Sequence, residues 1–159
     1  MSDNRYDLRL AGGTAVLPGS GRAAVDILVR DGRIAALVAP DDPASARSTL
    51  DCRGKVVLPG AIDAHVHLGP NITYPQSEAD ALPESRAAAA GGVTSMLAYL
   101  MSPQPYEEIF PTAKATMAEH SLIDFGFHFC VVSQQQLDTL PSYIRELGVS
   151  SFKFFMNFR

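Results

Sequence analysis

Cysteine is scarce in this sequence. Cys52 and Cys130 are the only two among 159 residues. They make neither a CxxC pair nor a disulfide framework, which argues against a cystine-stapled secreted domain and makes a reducing cytoplasm the default expectation. No apolar run approaches the roughly 18 residues that a membrane-spanning helix requires. The first ten residues, MSDNRYDLRL, carry no apolar signal core. Positive charge is not in excess either: 13 Lys and Arg stand against 17 Asp and Glu, a net charge of -4. That balance argues against a nucleic-acid footprint. What the chain does have is apolar residues, 47% of the total, and length for one ordinary domain with a sizeable core. The expectation is a cytoplasmic globular protein with no nucleic-acid and no membrane partner.

Residues 1–58 read as short strands. A Gly-Gly turn splits the segment Asp7–Leu17, Ala24–Val29 is a strand, and Arg30-Asp31-Gly32-Arg33 is a hairpin turn returning into Ile34–Val38. Asp41–Ser48 is polar and holds a proline, so it reads as a loop, and Leu50–Val57 as another strand. Strands at this spacing predict a small sandwich-like subdomain with a structural role.

The rhythm changes in residues 59–159. Ala61–Leu68 (AIDAHVHL) alternates with period two and predicts a strand. A loop over Gly69–Ser77 leads to an Ala-rich helix, with Pro83 suited to its first turn and Gly91-Gly92 to its stop. Thr94–Leu100 is a strand, Tyr106–His120 a helix and Ile123–Val132 a strand. A third helix reaches Leu147 with Leu137, Leu140, Ile144 and Leu147 on one face, and Ser151–Met156 is the last strand. The β-α-β-α-β-α-β order predicts a parallel sheet in an α/β fold. In the third strand Phe125, Phe127 and Phe129 share one face, and Gly126, His128 and Cys130 the other. One apolar and one smaller, more polar face fit a (β/α) barrel, with a doubly wound sheet as the alternative.

Two features carry chemistry. His65 and His67 lie on one face at the end of a strand, which is half of a metal site, although an isolated His-x-His reads more readily as two core or surface histidines and only its surroundings reverse that reading. Lys153 sits among Phe152, Phe154 and Phe155, where burial favours the neutral, nucleophilic amine; the plainer reading is a lysine reaching out from a strand end. Asp63 reads as a buried structural carboxylate and His128 as an interior residue rather than a ligand. His120 suits the C-terminal end of its helix.

VLPGAIDAHVHL (Val57–Leu68), RAAAAGGVT (Arg86–Thr94) and GVSSFKFFM (Gly148–Met156), in this order, resemble the cyclic amidohydrolases, most of all dihydropyrimidinases and hydantoinases. The resemblance implies a TIM-type (β/α) barrel, of which the chain carries the first four strands. It implies two divalent metal ions, usually zinc, with His65 and His67 on the more buried one. Lys153 would be carboxylated by carbon dioxide, and its carbamate would bridge both ions. The metals would acidify water and polarise a ring amide carbonyl, and water attack would open the ring. Dihydroorotases typically carry Arg just after the second histidine; Leu68-Gly69-Pro70 follow here, which argues against dihydroorotate. Hydantoinases typically carry Tyr five residues after the lysine as an oxyanion donor. Phe158 stands there without a hydroxyl, a loss on the order of 10²–10³ in rate unless another group, such as the Asn157 amide, substitutes.

The expected function is therefore hydrolysis of a cyclic amide C–N bond in a dihydropyrimidine- or hydantoin-type ring, by a homo-oligomeric parent enzyme. Other substrates in the same superfamily (a cyclic imide, an allantoin-like ureide, an N-acyl amino acid) and a non-catalytic scaffold are the alternatives. Further family ligands come from later strands, so the 159 residues read as an N-terminal fragment, inactive alone. A half barrel would leave its first and fourth strands as open edges.

Overall fold

The computed structural model describes residues 6–69 and 78–156. The chain divides into two compact units, Met1–Pro59 and Gly60–Arg159.

The described residues of the first unit form seven strands: β1 (Tyr6–Ala11), β2 (Thr14–Leu17), β3 (Gly21–Ala24), β4 (Asp26–Arg30), β5 (Arg33–Val38), β6 (Ala46–Asp51) and β7 (Val56–Val57). They form two sheets, ordered β5-β4-β1-β6 and β3-β2-β7. The predicted hairpin joins β4 to β5. Asp31 and Gly32 both take positive φ, 53° and 70°, as a two-residue turn of mirror-image type requires. The predicted loop at Asp41–Ser48 is corrected: strand β6 begins at Ala46, because parallel pairing with β1, from Tyr6↔Ala46 to Ala11↔Asp51, recruits these polar residues. The predicted strand Leu50–Val57 is broken by a turn. Lys55 N–H donates to the Cys52 carbonyl at 2.9 Å, with Gly54 at φ 72°.

Asp26 is the polar anchor of this unit, at 1% exposure. It accepts from Arg9 Nε at 2.7 Å, Arg9 Nη2 at 2.6 Å and the Gly12 N–H at 2.8 Å. Arg9 turns its other donors to the carbonyls of Asp42, Ala44 and Pro40. All five guanidinium donors are thereby used, the condition under which a buried charge is tolerated.

The second unit alternates strand and helix: β8 (Ala61–Val66), α1 (Glu78–Ala90), β9 (Val93–Leu100), α2 (Tyr106–His120), β10 (Asp124–Cys130), α3 (Gln134–Ser142) and β11 (Phe152–Lys153). The sheet order is β11-β10-β9-β8 and every pairing is parallel. Gly60 leads into β8 where a Cβ would stand 2.0 Å from the Thr94 hydroxyl oxygen, so no side chain fits there. One face of the sheet meets the helices. Met96, Ala98, Leu100, Phe127 and Phe129 are buried there with Tyr106, Phe110, Ala113 and Met117 of α2. Phe110 meets Phe127 and Phe129 edge-on at 5.3 and 5.0 Å, and Tyr106 stacks on Phe129 at 4.1 Å. The Tyr106 hydroxyl lies 2.9 Å from the Leu100 carbonyl and 2.6 Å from that of Cys130, tying the ends of β9 and β10 together.

Several expectations are corrected in this unit. Pro83 lies inside α1, not in its first turn, at the cost of the donor for the Ala79 carbonyl. The inward stripe of α3 is not the leucine face: Leu137 and Ile144 are 42% and 49% exposed. Gln136, Leu140, Tyr143 and Leu147 face inward instead, because the Gln136 amide is taken up by Ser102 O, Gln104 O and Val132 N. A π-turn at Tyr143–Leu147 ends the helix at Gly148, φ 72°. Strand β11 is two residues long rather than six. Asp63 is exposed, not buried; its carboxylate accepts the His65 N–H at 3.0 Å.

Replacing Asp26 with Ala leaves the Arg9 guanidinium in place without its counter-charge. We expect the first unit to lose about 3–5 kcal/mol in urea unfolding; a loss below about 1 kcal/mol would show that Arg9 is solvated without it.

Candidate functional site

Parallel pairing sets the carboxyl ends of β8, β9, β10 and β11 side by side. On the sheet face turned from the helices, Tyr99 of β9 pairs with His128 of β10, and Cys130 with Lys153 of β11. His65 lies on β8, and His67 just past its end.

Four of these side chains meet around the Tyr99 ring. The imidazole of His65 lies 4.5 Å from it and that of His67 stacks on it at 4.9 Å, centroid to centroid. The His65 and His67 rings are 5.3 Å apart. The His128 ring lies 4.8 Å from that of Tyr99, tilted by 34°. Lys153 Nζ stands 3.4 Å from His65 Nε2 and 4.2 Å from the Tyr99 centroid. Of the aromatics flanking the lysine in sequence, only Phe155 faces its amine, at 4.7 Å. Phe152 packs against the core and Phe154 is half exposed.

The structure thus brings together His65, His67 and Lys153. His128 stands beside them, its ring nitrogens on Ser151 Oγ and the Ala64 carbonyl. His120 is elsewhere, 3.8 Å from Glu119 at the end of α2. Asn157 and Phe158, and most of the loop after Gly69, lie outside the described residues. Sequence reasoning missed Tyr99. Its signal is a polar aromatic one residue from the C-terminal end of a strand, on the face opposite the core positions Met96, Ala98 and Leu100.

Three imidazoles and one amine make up the cluster. Among the described residues no three His, Cys, Asp or Glu side chains converge on one point. His67 Nδ1 is buried and has no hydrogen-bond partner there. Burial first, then the Lys153 ammonium and His65, hold the His67 imidazole below the ordinary 6.5. A neutral imidazole with an unpartnered buried nitrogen suits a metal ion, and His65 beside it supplies a second nitrogen donor. Burial pushes the Cys130 thiol up, so it stays protonated and unreactive.

No family model matches the chain. Individual relatives do. The D-hydantoinase of Streptomyces coelicolor is 34% identical over 154 residues, covering 91% of this chain and 32% of that protein. An allantoinase of Desulfitobacterium hafniense is 37% identical over 155 residues, covering 96% of this chain and 33% of the allantoinase. Among solved structures, a D-hydantoinase (dihydropyrimidinase) from Thermus sp. superposes with a TM-score of 0.78 at 25% identity, over 96% of this chain and 34% of that one. The chain spans about a third of the length of the relatives it matches.

In the metal-free chain the His67 ring should titrate below 6.5 by NMR, and Lys153→Met should move it part of the way back up. Because the folded state holds His67 neutral, the unfolded state binds the proton first as pH falls. The stability owed to His67 is therefore complete above 6.5 and is lost as pH drops through the window below it. Titration at or above 6.5 would contradict the burial of this ring.

Proposed function

The chain belongs with the cyclic amidohydrolases of hydantoinase and dihydropyrimidinase type, matching about a third of their length, and from this premise we propose that it carries half of a metal-dependent site for opening cyclic amide rings. The observation that carries this reading is the meeting of His65, His67 and Lys153 at the carboxyl ends of parallel strands, where barrel enzymes keep their chemistry. In this proposal β8 to β11 are the first four strands of a TIM-type barrel, and the seven strands before them are its sandwich-like companion. The remaining ligands and the general base would come from chain outside these 159 residues.

His65 and His67 would hold a divalent ion, zinc for preference, through their ring nitrogens, and burial favours the neutral His67 ring that such an ion needs. The unmodified Lys153 amine is a poor anionic ligand. Its reaction with carbon dioxide forms an N–C bond and releases one proton, leaving a carbamate whose oxygens can serve two ions. Bound metal would supply Lewis acidity toward the ring carbonyl and toward water. The chain's own part is to keep His67 neutral by burial and to wall the Lys153 side chain with the rings of Tyr99 and Phe155, 4.2 and 4.7 Å from its Nζ. A location in the reducing cytoplasm fits the two free, buried thiols; no helix among the described residues is long and apolar enough to cross a membrane.

Dihydropyrimidines and hydantoins are the proposed substrates. An allantoin-like ureide is the second reading, favoured by the 37% identity to an allantoinase and by Phe158, which lacks a phenolic hydroxyl. The test is ring opening of dihydrouracil, hydantoin, allantoin and a cyclic imide by the protein purified from its natural source. Turnover of the first two is expected, lost on chelation and reduced at least about 100-fold by Lys153→Ala. Turnover of allantoin or the imide alone would replace the substrate assignment, and turnover of none by metal-loaded protein would refute the enzyme. A verified 159-residue product is expected to be inactive by itself.

A further inference from the structure

Between Asp63 and Val66 the pairing of β8 with β9 carries one residue too many. Asp63 faces Met96 and Val66 faces Ala98, so Ala64 and His65 together oppose Leu97. Such a bulge takes backbone groups out of the ladder and re-aims the side chain it carries. Each freed group then needs another partner. Here two backbone groups of the bulge have side-chain partners. The His65 N–H donates to Asp63 Oδ1 at 3.0 Å. The Ala64 carbonyl lies 3.1 Å from Nε2 of His128.

His128 belongs to β10, and β9 lies between β10 and β8. Adjacent strands stand about 4.8 Å apart, so this imidazole bridges about two strand spacings. A carbonyl oxygen can only accept, so Nε2 carries the ring proton. In the neutral ring Nδ1 is then the acceptor, and it takes the Ser151 hydroxyl. Ser151 precedes Lys153 by two residues, and its carbonyl accepts the Phe129 N–H at 3.1 Å. One side chain therefore links the residue before His65 to the approach of Lys153.

We infer that His128 is a positioning residue. With Asp63 it holds the bulge at Ala64–His65 and so fixes His65 against Lys153 and Tyr99. The inference deepens the proposed metal site and rests on that reading only where zinc is concerned.

The test compares two conservative variants. His128→Gln keeps an amide where Nε2 stood and can still donate to Ala64. His128→Asn has its amide at the Nδ1 position and reaches Ser151 alone. In the metal-free 159-residue chain, NMR should show the contacts of the His65 ring with Tyr99 and with the Lys153 ε-methylene intact in His128→Gln and lost in His128→Asn. Zn²⁺ affinity by calorimetry should stay within about threefold of wild type in the first and fall about 10–100-fold in the second. Intact contacts in His128→Asn, or equal loss in both variants, would overturn the inference. Should His128→Asn fail to fold, Asp63→Ala removes the other partner of the bulge from an exposed position. Loss of the same contacts supports the inference and their retention overturns it. The contact comparison contains no metal and decides the role of His128. Zinc uptake by the wild type decides the metal reading separately.

Discussion

Parallel hydrogen-bonded pairing is the constraint on which the second unit depends. Parallel neighbours cannot be joined by a tight turn, so each strand here must be followed by a crossover, and α1, α2 and α3 supply it. Each crossover returns the chain to the same end of the sheet, which leaves every strand pointing the same way. The ends of β8, β9, β10 and β11 then converge without any long-range design of the individual side chains. Tyr99, His128 and Lys153 become neighbours because their strands are in register, Tyr99 with His128 and Lys153 with Cys130.

The two faces of this sheet divide the work. Phe127, Phe129, Met96 and Leu100 bury against α2, and the Tyr106 hydroxyl closes the ends of β9 and β10 on the same side. That packing holds the backbone still, so the opposite face can carry groups that pack poorly. Three imidazoles and an amine surround one aromatic ring there. Like groups of this kind repel once protonated. Burial relieves the strain at His67 by keeping it neutral, and a metal ion would relieve it further by taking up the lone pairs.

Much of the fold was legible because it follows from short-range rules. The period of two in Asp124–Cys130 separates the phenylalanines from His128, and Asp31-Gly32 forms the turn its sequence requires. The histidines were legible for the same reason, since alternation alone puts residues 65 and 67 on one side. What was illegible depends on partners distant in sequence. Ala46–Ser48 is a strand only because β1 lies beside it. Gln136 faces inward only because three backbone groups from other segments meet its amide. The bulge at Ala64–His65 is a mismatch between two strands, and neither strand's own pattern contains it.

The central claim is that His65, His67 and Lys153 are arranged to hold metal. The most direct measurement is anomalous diffraction at the zinc edge from crystals of the chain grown with Zn²⁺ and bicarbonate. A peak within about 2.0–2.1 Å of an imidazole nitrogen of each of His65 and His67, with density for a carboxyl group on Lys153 Nζ, is the result expected. A peak at His120 alone, or none beside the Tyr99 ring, would contradict it.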